Sequence, residues 1–184
     1  MKNFLKVFIV TAGLILYFNV SSFAIADVAG WVGAFKGDGA NGYDTQGAHF
    51  GFKAHYNLSL TPLFDLGVGG YFQHLRLTYS DLKVPLDDLK RDSAGLDLNL
   101  IALPSPVIHP YLRGTWAFWD KIEAVRYPHE SRKSKFKPFG LGLGVEFAFF
   151  PFIRLFGEYM FDKTKYDDVK FTSNLFNLGL KLDF

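Results

Sequence analysis

The sequence predicts an all-β protein: an eight-stranded antiparallel up-and-down barrel that crosses a membrane with its strands. Three observations predict this fold. Apolar side chains alternate with polar or small ones along segment after segment, which is the two-residue period of a strand. Phe, Tyr and Trp make up 18% of the residues, more than core packing alone requires. Short proline-marked turns alternate with longer polar loops, as they do in transmembrane barrels.

Residues 1–26 are predicted to be a cleaved signal peptide. Two lysines lie near its start, residues 7–17 form a short apolar stretch, and residues 24–26 match an A-x-A cleavage site. The mature chain, residues 27–184, has the length of one domain, which we assign to an outer-membrane β-barrel. The sequence contains no cysteine, so the signal peptide alone predicts export.

The charge balance argues against a nucleic-acid partner. The full chain has 20 Lys and Arg residues and 18 Asp and Glu residues. The signal peptide contains two of the lysines and no acid, so the mature chain holds equal numbers of both signs. This balance removes the attraction on which nucleic-acid binding depends. After the signal peptide no apolar run approaches the roughly 20 residues of a spanning helix, so any membrane crossing uses strands.

The first three strands differ in how clearly they alternate. Residues 27–36 are the least regular, because apolar side chains occur on both faces. Residues 47–58 alternate cleanly. In the third strand, residues 64–79, the alternation slips near His74, which predicts a β-bulge that keeps Leu75 on the apolar face. The predicted lipid-facing side chains of strands two and three are Ala48, Phe50, Phe52, Ala54, Tyr56, Leu58, Phe64, Leu66, Val68, Gly70 and Phe72.

The remaining five strands are predicted at residues 94–102, 111–118, 139–147, 154–161 and 175–184. Each has one apolar and one polar or small face, apart from two apolar residues on the polar face of residues 154–161. The apolar face is expected to meet lipid. Representative lipid-facing residues are Leu96, Leu98, Leu100, Leu112, Trp116, Leu141, Leu143, Leu155 and Tyr159.

The connections predict two different ends of the barrel, with short turns facing the periplasm and longer loops facing outward. The predicted short turns lie near residue 61, at 104–110 and near residue 151; the predicted loops are 37–46, 80–92, 120–137 and 162–168. Two aromatic girdles are expected. The one near the turns comprises Phe64, Tyr111, Phe147, Phe149, Phe150, Phe152 and Phe184; the one near the loops comprises Phe35, Phe118, Trp119 and Phe161.

The last strand carries the most specific pattern. Its apolar residues alternate up to an aromatic carboxy-terminus: Phe176, Leu178, Leu180, Leu182 and Phe184. With eight alternating segments and a signal peptide, the chain resembles the small outer-membrane barrels of the OmpX, OmpW and OmpA-transmembrane kind. The resemblance implies a monomer without cofactors in the outer membrane of a diderm (Gram-negative-type) bacterium, in contact with lipid and lipopolysaccharide. It also implies that the barrel-assembly machinery reads the final strand.

The interior of the barrel is predicted to hold an ion-pair network that plugs it. Eight strands enclose a lumen only wide enough to be filled by side chains, and a low-dielectric lumen strongly favours pairing of opposite charges. A narrow polar conduit is the alternative interpretation. The predicted network consists of Lys53, Asp65, Asp97, Arg113, Glu146, Arg154, Glu158, Lys181 and Asp183.

The longest predicted loop carries a cluster of positive charges. These are Arg126, Arg132, Lys133, Lys135 and Lys137, set against Glu130. We interpret the cluster as a surface for lipopolysaccharide phosphates or anionic host polymers. A solvated loop without a ligand is the alternative.

These features favour a non-enzymatic role in envelope integrity or in surface contact through the loops. One alternative is binding or passage of small hydrophobic molecules, which the resemblance to OmpW implies and which inward-facing Phe156 and Met160 would support if they line a cavity. No metal site is expected, because inward-facing His49 and His55 are six residues apart and have a lysine between them.

A second alternative is enzymatic. His129 and Ser131 resemble the His-x-Ser pair of the outer-membrane lipid A deacylase, with Glu146 or Glu158 as a possible orienting acid. The residues that follow the serine depart from that family, because two positively charged side chains replace its small and polar ones.

Overall fold

The computed structural model describes residues 25–38, 44–79, 89–103, 105–124, 131–133, 136–166 and 169–184. Among these residues no helix is long and apolar enough to span a membrane. The strands are β1 (Ala26–Asp38), β2 (Asp44–Thr61), β3 (Phe64–Tyr79), β4 (Leu89–Ala102), β5 (Ile108–Ala124), β6 (Ser131–Lys133), β7 (Phe136–Phe150), β8 (Ile153–Tyr166) and β9 (Val169–Asp183). The predicted all-β class is confirmed.

The strands form a closed antiparallel barrel. Each long strand pairs with the next long strand along the chain, and β1 pairs with β9 to close the ring. The three-residue strand β6 pairs with residues 121–123 of β5, beyond the part of β5 that pairs with β7. The wall of the barrel is therefore made of eight long strands, as predicted.

Neighbouring side chains lie on opposite sides of this wall. In β9, Leu178 is 65% exposed whereas Asn177 is buried. In β5, Leu112 is 60% exposed whereas Arg113 is 1% exposed. The outer surface is thus apolar and the inner surface carries the charges, which is the distribution of a barrel surrounded by lipid. The predicted lipid-facing sides of β4, β7, β8 and β9 are confirmed.

The connections of the strands define two ends of the barrel. The end with the connections 62–63, 103–107 and 151–152 is called the turn end, and the opposite end is called the loop end. At the turn end Phe184 N donates a hydrogen bond to Ala26 O at 2.8 Å, and Asp183 N donates to Phe152 O at 3.0 Å. These bonds tie the last strand to its neighbours on both sides.

The strands continue further toward the loop end than the sequence indicated. β2 begins at Asp44, β4 at Leu89, β5 ends at Ala124 and β8 ends at Tyr166. All four predicted loops are therefore wrong in extent. The reason is physical: a polar residue inside a barrel strand can point into the lumen, so polarity does not mark the end of the strand.

β3 has no bulge near His74. Its ladders with β2 and β4 run through this position without a register shift, and Leu75 is buried inside the barrel with 1% exposure. The predicted slip is wrong because Leu75 is an interior residue, packed in one cluster with Phe35 and Leu175.

The predicted girdles need two corrections. Phe35 and Tyr111 are both 3% exposed and lie inside the barrel, since their neighbours in β1 and β5 face outward. The other predicted girdle residues in the described part of the chain are exposed on the outside: Phe64, Phe118, Trp119, Phe147, Phe149, Phe150, Phe152, Phe161 and Phe184.

Candidate functional site: the side chains inside the barrel

Arg113 is the most highly connected charge inside the barrel. Its Nε donates to Asp97 Oδ2 at 2.8 Å, and its Nη1 donates to Glu158 Oε1 at 2.7 Å. The guanidinium carbon lies 4.7 Å from the centroid of the Trp31 ring, within cation–π distance. One arginine on β5 therefore links carboxylates on β4 and β8 across the lumen.

Glu158 has partners on three other strands, β2, β5 and β9. Tyr111 Oη donates to it at 2.9 Å and Asn177 Nδ2 at 2.6 Å, in addition to Arg113. Lys53 Nζ lies 3.8 Å from Glu158 Oε2 and about 5 Å from the ring centroids of Tyr111 (5.3 Å) and Phe156 (5.1 Å). The buried carboxylate is thus surrounded by two cations and two neutral donors, which compensates its lost hydration.

Small residues on β7 make room for these side chains. A Cβ atom on Gly144 would lie 2.4 Å from Tyr111 Cζ, and one on Gly142 would lie 2.6 Å from Met160 Cγ. Both distances are shorter than atoms tolerate. The inward glycines of β7 therefore allow Tyr111 and Met160 to fill the lumen.

A second group of charges lies at the turn end. Lys181 Nζ lies 2.8 Å from Glu146 Oε1. Arg154 Nη1 donates to Glu146 Oε2 at 3.1 Å, and Arg154 Nε lies 2.5 Å from Asp183 Oδ2. His109 Nδ1 is 2.9 Å from Arg154 Nη1. These contacts join β5, β7, β8 and β9 close to the point where the barrel closes.

His55 connects the two groups of charges. Its Nδ1 lies 3.0 Å from Asp27 Oδ1, and its Nε2 lies 3.2 Å from Asp97 Oδ1. Asp27 also lies 3.7 Å from Lys181. The sequence placed His55 on an inward face but not in the network, because the partners Asp27 and Asp97 are distant along the chain. Among the described residues no group of three His, Asp or Glu side chains is arranged to hold a metal ion.

The loop-end half of the lumen contains an apolar layer. Its members face inward and are buried: Phe35, Leu75, Ile122, Met160 and Leu175. From the sequence, Met160 was placed on an inward face, whereas Phe35 and Leu75 were assigned to the lipid-facing side and Ile122 to a loop, so the layer as a whole was not predicted.

Beyond the apolar layer lies a smaller ionic cluster. Arg91 Nε donates to Asp120 Oδ1 at 2.8 Å, and the same guanidinium binds Asp162. All three residues were assigned to loops from the sequence, yet they lie in β4, β5 and β8. The strands extend past the apolar layer and bring these three side chains together.

Eight of the nine predicted network residues lie in the two connected groups of charges: Lys53, Asp97, Arg113, Glu146, Arg154, Glu158, Lys181 and Asp183. The exception is Asp65, which is half-buried and makes no ion pair with any residue in the described ranges. The sequence missed Asp27, His55, His109, Tyr111 and Asn177. His55 and Tyr111 could have been found from the sequence, because each lies on an inward face two residues from a predicted network charge, Lys53 or Arg113.

The remaining predicted sites fall on different parts of the molecule. The residues of the predicted assembly signal all face outward on β9, as expected: Phe176, Leu178, Leu180, Leu182 and Phe184. The side chains of the predicted anionic-ligand loop lie outside what the structure describes: Arg126, Arg132, Lys133, Lys135 and Lys137. The same holds for the side chains of His129 and Ser131, whereas Glu146 and Glu158 are engaged inside the barrel.

Phe156 and Met160 face inward as predicted and are packed against charged side chains. They are 1% and 4% exposed. The Phe156 ring lies against the Lys53 ammonium, and Met160 Sδ accepts a hydrogen bond from Arg113 Nη1 at 3.3 Å. Both side chains therefore contact cations of the charge network.

A closed barrel of eight long antiparallel strands, apolar outside and charged inside, is the fold of the small transmembrane barrels of outer membranes. The chain is similar to the crystal structure of Neisserial surface protein A, NspA, with 19% identity, 86% of this chain and 97% of that chain covered, and a TM-score of 0.71.

Two further solved structures are similar over most of their length. The attachment invasion locus protein Ail of Yersinia pestis is 16% identical, with 85% of this chain and 99% of that chain covered and a TM-score of 0.48. OprG of Pseudomonas aeruginosa is 12% identical, with 87% and 96% covered and a TM-score of 0.48. No protein-family model and no curated protein matches the sequence.

Proposed function

We propose that this chain is an integral outer-membrane protein with a sealed, non-enzymatic barrel, which contributes to envelope integrity or to surface contact through its charged loops. The observation that carries the proposal is the filled lumen. Lys53, Arg113 and Lys181 each have 1% of their surface exposed, and an apolar layer lies between them and the loop end. A barrel filled in this way acts through its outer surfaces.

The sealed lumen is tested by conductance. The purified full chain, refolded into planar lipid bilayers, is expected to give no steady current, because ion pairs and the apolar layer both block the path. An eight-stranded barrel in which the inward charges line an open pore would give a steady conductance and would overturn this part of the proposal. A known porin in the same bilayers provides the positive control.

The membrane location is tested by fractionation and by gel mobility. The chain is expected in the outer-membrane fraction, and the unboiled sample is expected to migrate differently from the boiled sample, because a folded barrel resists detergent. A chain recovered in the soluble periplasmic fraction, with one mobility in both samples, would contradict the proposal.

Surface contact is tested on the predicted anionic-ligand loop. Replacing Arg132, Lys133, Lys135 and Lys137 together with glutamine is expected to weaken binding to lipopolysaccharide or to a sulfated polysaccharide, since these anions bind through charge. Lys163→Gln together with Lys165→Gln on β8 serves as the control. Unchanged binding by the loop variant would remove the loop from the proposal.

The carboxy-terminal strand is proposed to be the segment that the barrel-assembly machinery reads. Its support is the continuous outward row that ends at Phe184, which is 70% exposed. Phe184→Ser is expected to reduce the amount of folded protein in the outer membrane, while refolding of the purified chain in detergent is unaffected. Equal defects in the cell and in detergent would assign Phe184 a role in stability instead.

A further inference from the structure

The turn-end half of the lumen contains polar side chains that the charge network leaves without partners. Asn99 on β4 is 0% exposed, and neither its Nδ2 nor its Oδ1 has a hydrogen-bond partner in the part of the chain that the structure describes. Asn57 Oδ1 and Asp65 Oδ1 are also buried and unpartnered there. Because a buried polar atom without a partner costs free energy, these three side chains indicate a ligand that binds oxygen atoms.

The three side chains lie around Gly67 on the inner wall. The register pairs Gly67 with Asn57 on β2 and with Asn99 on β4. Asp65 is the next inward residue of β3 toward the turn end, so its Cα lies about 7 Å from that of Gly67. We call this group the Gly67 site: Asn57, Asp65, Gly67 and Asn99.

Asp27 fixes the orientation of Asn57 in the Gly67 site. An ionised carboxylate only accepts hydrogen bonds, so Asn57 directs its Nδ2 to Asp27 Oδ2, at 2.9 Å. Its Oδ1 lies 3.0 Å from the position that a Cβ atom on Gly67 would take, and the Cβ atoms of His55 and Asn99 each lie 3.4 Å from the same position. The absent side chain thus leaves a place for one atom, beside an amide oxygen.

Carboxylates exceed cations in this half of the lumen. In the described part of β2, β3 and β4, no lysine or arginine faces inward between Lys53 and the turn end. The inward carboxylates of the turn-end half are those of Asp27, Asp65, Asp97, Glu146, Glu158 and Asp183, whereas its inward Lys and Arg residues are Lys53, Arg113, Arg154 and Lys181. Even a protonated His55 leaves an excess of negative charge, which a bound cation would compensate.

The nearest arginine in the ladder does not compensate Asp65. Arg113 pairs with Asn99 across β4 and β5, but its Nε donates to Asp97 at 2.8 Å and its Nη1 donates to Glu158 at 2.7 Å. Asp97 is the next inward residue of β4 toward the loop end, so the guanidinium is directed away from the turn end. Its charge is already balanced by two carboxylates.

We propose that the Gly67 site binds one divalent cation of the calcium type. Calcium takes carboxylate oxygens, amide carbonyl oxygens and water as ligands, at about 2.3–2.6 Å. Asn57 Oδ1 and Asn99 Oδ1 supply the amide ligands, and Asp65 supplies its carboxylate directly or through one water. The close approach of Asn57, His55 and Asn99 to the Cβ position favours a single ion over a larger organic cation.

The ion reaches the site from the turn end. Asn57 and Asp65 are half-buried, so the path avoids both the charge network and the apolar layer, and the lumen stays sealed. The inference goes beyond the proposed function and rests only on the barrel fold, not on the charged loops.

A bound cation would tie β2, β3 and β4 together at the turn end. On the other side of the barrel, Arg154 and Lys181 join β7, β8 and β9 through Glu146 and Asp183. The Gly67 site has oxygen ligands on three strands but no positively charged side chain of its own. The cation thus takes the part that Arg154 and Lys181 have on the opposite wall.

The test measures binding of radioactive calcium to the full chain by equilibrium dialysis in detergent, after refolding without lipopolysaccharide, whose phosphates also bind calcium. The parent is expected to bind one ion per barrel with a Kd of about 10⁻⁴–10⁻³ M, the range of extracellular calcium sites. Asp65→Asn keeps the shape but removes the charge and is expected to weaken binding at least about tenfold. Asp92→Asn, at an outward position of β4 near the loop end, is the matched control and is expected to bind like the parent.

The place at Gly67 is tested separately. Gly67→Ala puts a methyl group where the ion is proposed to lie and is expected to weaken binding several-fold. Gly70→Ala, at an outward position of the same strand where a Cβ has only ordinary contact with Gly95 O at 3.4 Å, is expected to have no effect. Unboiled gel mobility of every variant reports whether it is folded.

Two results would overturn the cation site. One is a folded parent that binds no calcium, and the other is equal binding by the folded parent, Asp65→Asn and Gly67→Ala. Either result leaves the sealed outer-membrane barrel unaffected, whereas a steady conductance would overturn the sealed lumen and leave the cation site in place.

Discussion

Two regions of the lumen depend on different chemistry: a network of charges in the turn-end half, and an apolar layer in the loop-end half that separates this network from the Arg91 cluster. The turn-end half contains a chain of charges that runs from Asp183 through His55 to Glu158, and nearly every carboxylate there has a cation or a neutral donor. The loop-end half contains an apolar layer, with Leu75 and Phe35 at 1% and 3% exposure. Both halves are filled by side chains, but different forces hold those side chains in place.

Because of this difference, the loss of a side chain is expected to destabilise the two halves for different reasons. In the ionic half a lost side chain leaves its partner charged and buried, which is costly because a low-dielectric interior cannot replace the missing counter-charge. In the apolar half a lost side chain leaves a cavity, and the cost depends on how far the neighbours can relax. Substitutions in the two halves therefore separate the contributions of pairing and packing to the stability of the barrel.

The largest effect is expected for Arg113→Met. The substitution leaves Asp97 and Glu158 without their shared cation and should lower the free energy of unfolding by about 3–5 kcal/mol. Urea unfolding of the chain in lipid vesicles, followed by tryptophan fluorescence, measures it. Lys163→Met on the outer surface is the control for loss of an unburied charge and should change stability by less than about 1 kcal/mol.

A second variant identifies the cause. Adding Asp97→Asn to Arg113→Met removes the carboxylate that loses its arginine, while Glu158 keeps Lys53, and should recover part of the lost stability. If this double variant is less stable than Arg113→Met, shape rather than charge dominates in the ionic half, and the contrast between the halves disappears.

Leu75→Ala should be the next most damaging change. It removes a fully buried side chain from the apolar layer and is expected to cost about 3 kcal/mol, the range for a leucine truncated in a packed core. Leu178→Ala, which shortens a lipid-facing leucine of the same size, is the matched control and should cost less, because lipid fills the space. Equal effects of the two substitutions in vesicles would show that the apolar layer is not tightly packed.

Much of this architecture follows from the sequence alone. The alternation of Leu141, Gly142 and Leu143 predicts that successive side chains point to opposite sides of the barrel wall. The face with polar or small residues is then predicted to line the lumen. The same alternation predicts the number of strands, the order in which they pair around the barrel and the charges that face inward. It does not predict the ion pairs among Asp27, His55 and Asp97, because these pairs depend on how three strands are aligned.

The errors have a common physical origin. Alternation distinguishes the two faces of a strand, but it cannot say which face is inside when both carry apolar residues. Phe35 and Leu75 were therefore placed toward lipid, although they form the apolar layer. Asp120 and Asp162 were assigned to loops because buried ion pairs and solvated charges look the same in a sequence.

Lys53→Met should have a smaller effect than Arg113→Met. Glu158 keeps the guanidinium, the Tyr111 hydroxyl and the Asn177 amide, so only one of its compensating contacts is lost. The expected cost is about 2 kcal/mol, measured by the same unfolding experiment. The comparison ranks the two cations: a cost equal to that of Arg113→Met would mean that the Lys53 ammonium stabilises the buried carboxylates as much as the Arg113 guanidinium does.

The smallest loss of stability is expected for Tyr111→Phe, in the turn-end half. It removes one hydrogen bond to Glu158 without altering the volume of the lumen, and the expected cost is about 1 kcal/mol. Tyr159→Phe is the matched control, because Tyr159 Oη also donates to a side chain, Asn174, but on the exposed outer surface. If Tyr159→Phe costs as much as Tyr111→Phe, hydroxyl donors contribute equally inside and outside the barrel. A larger cost for Tyr111→Phe means that the buried carboxylate makes the turn-end half depend on each of its donors.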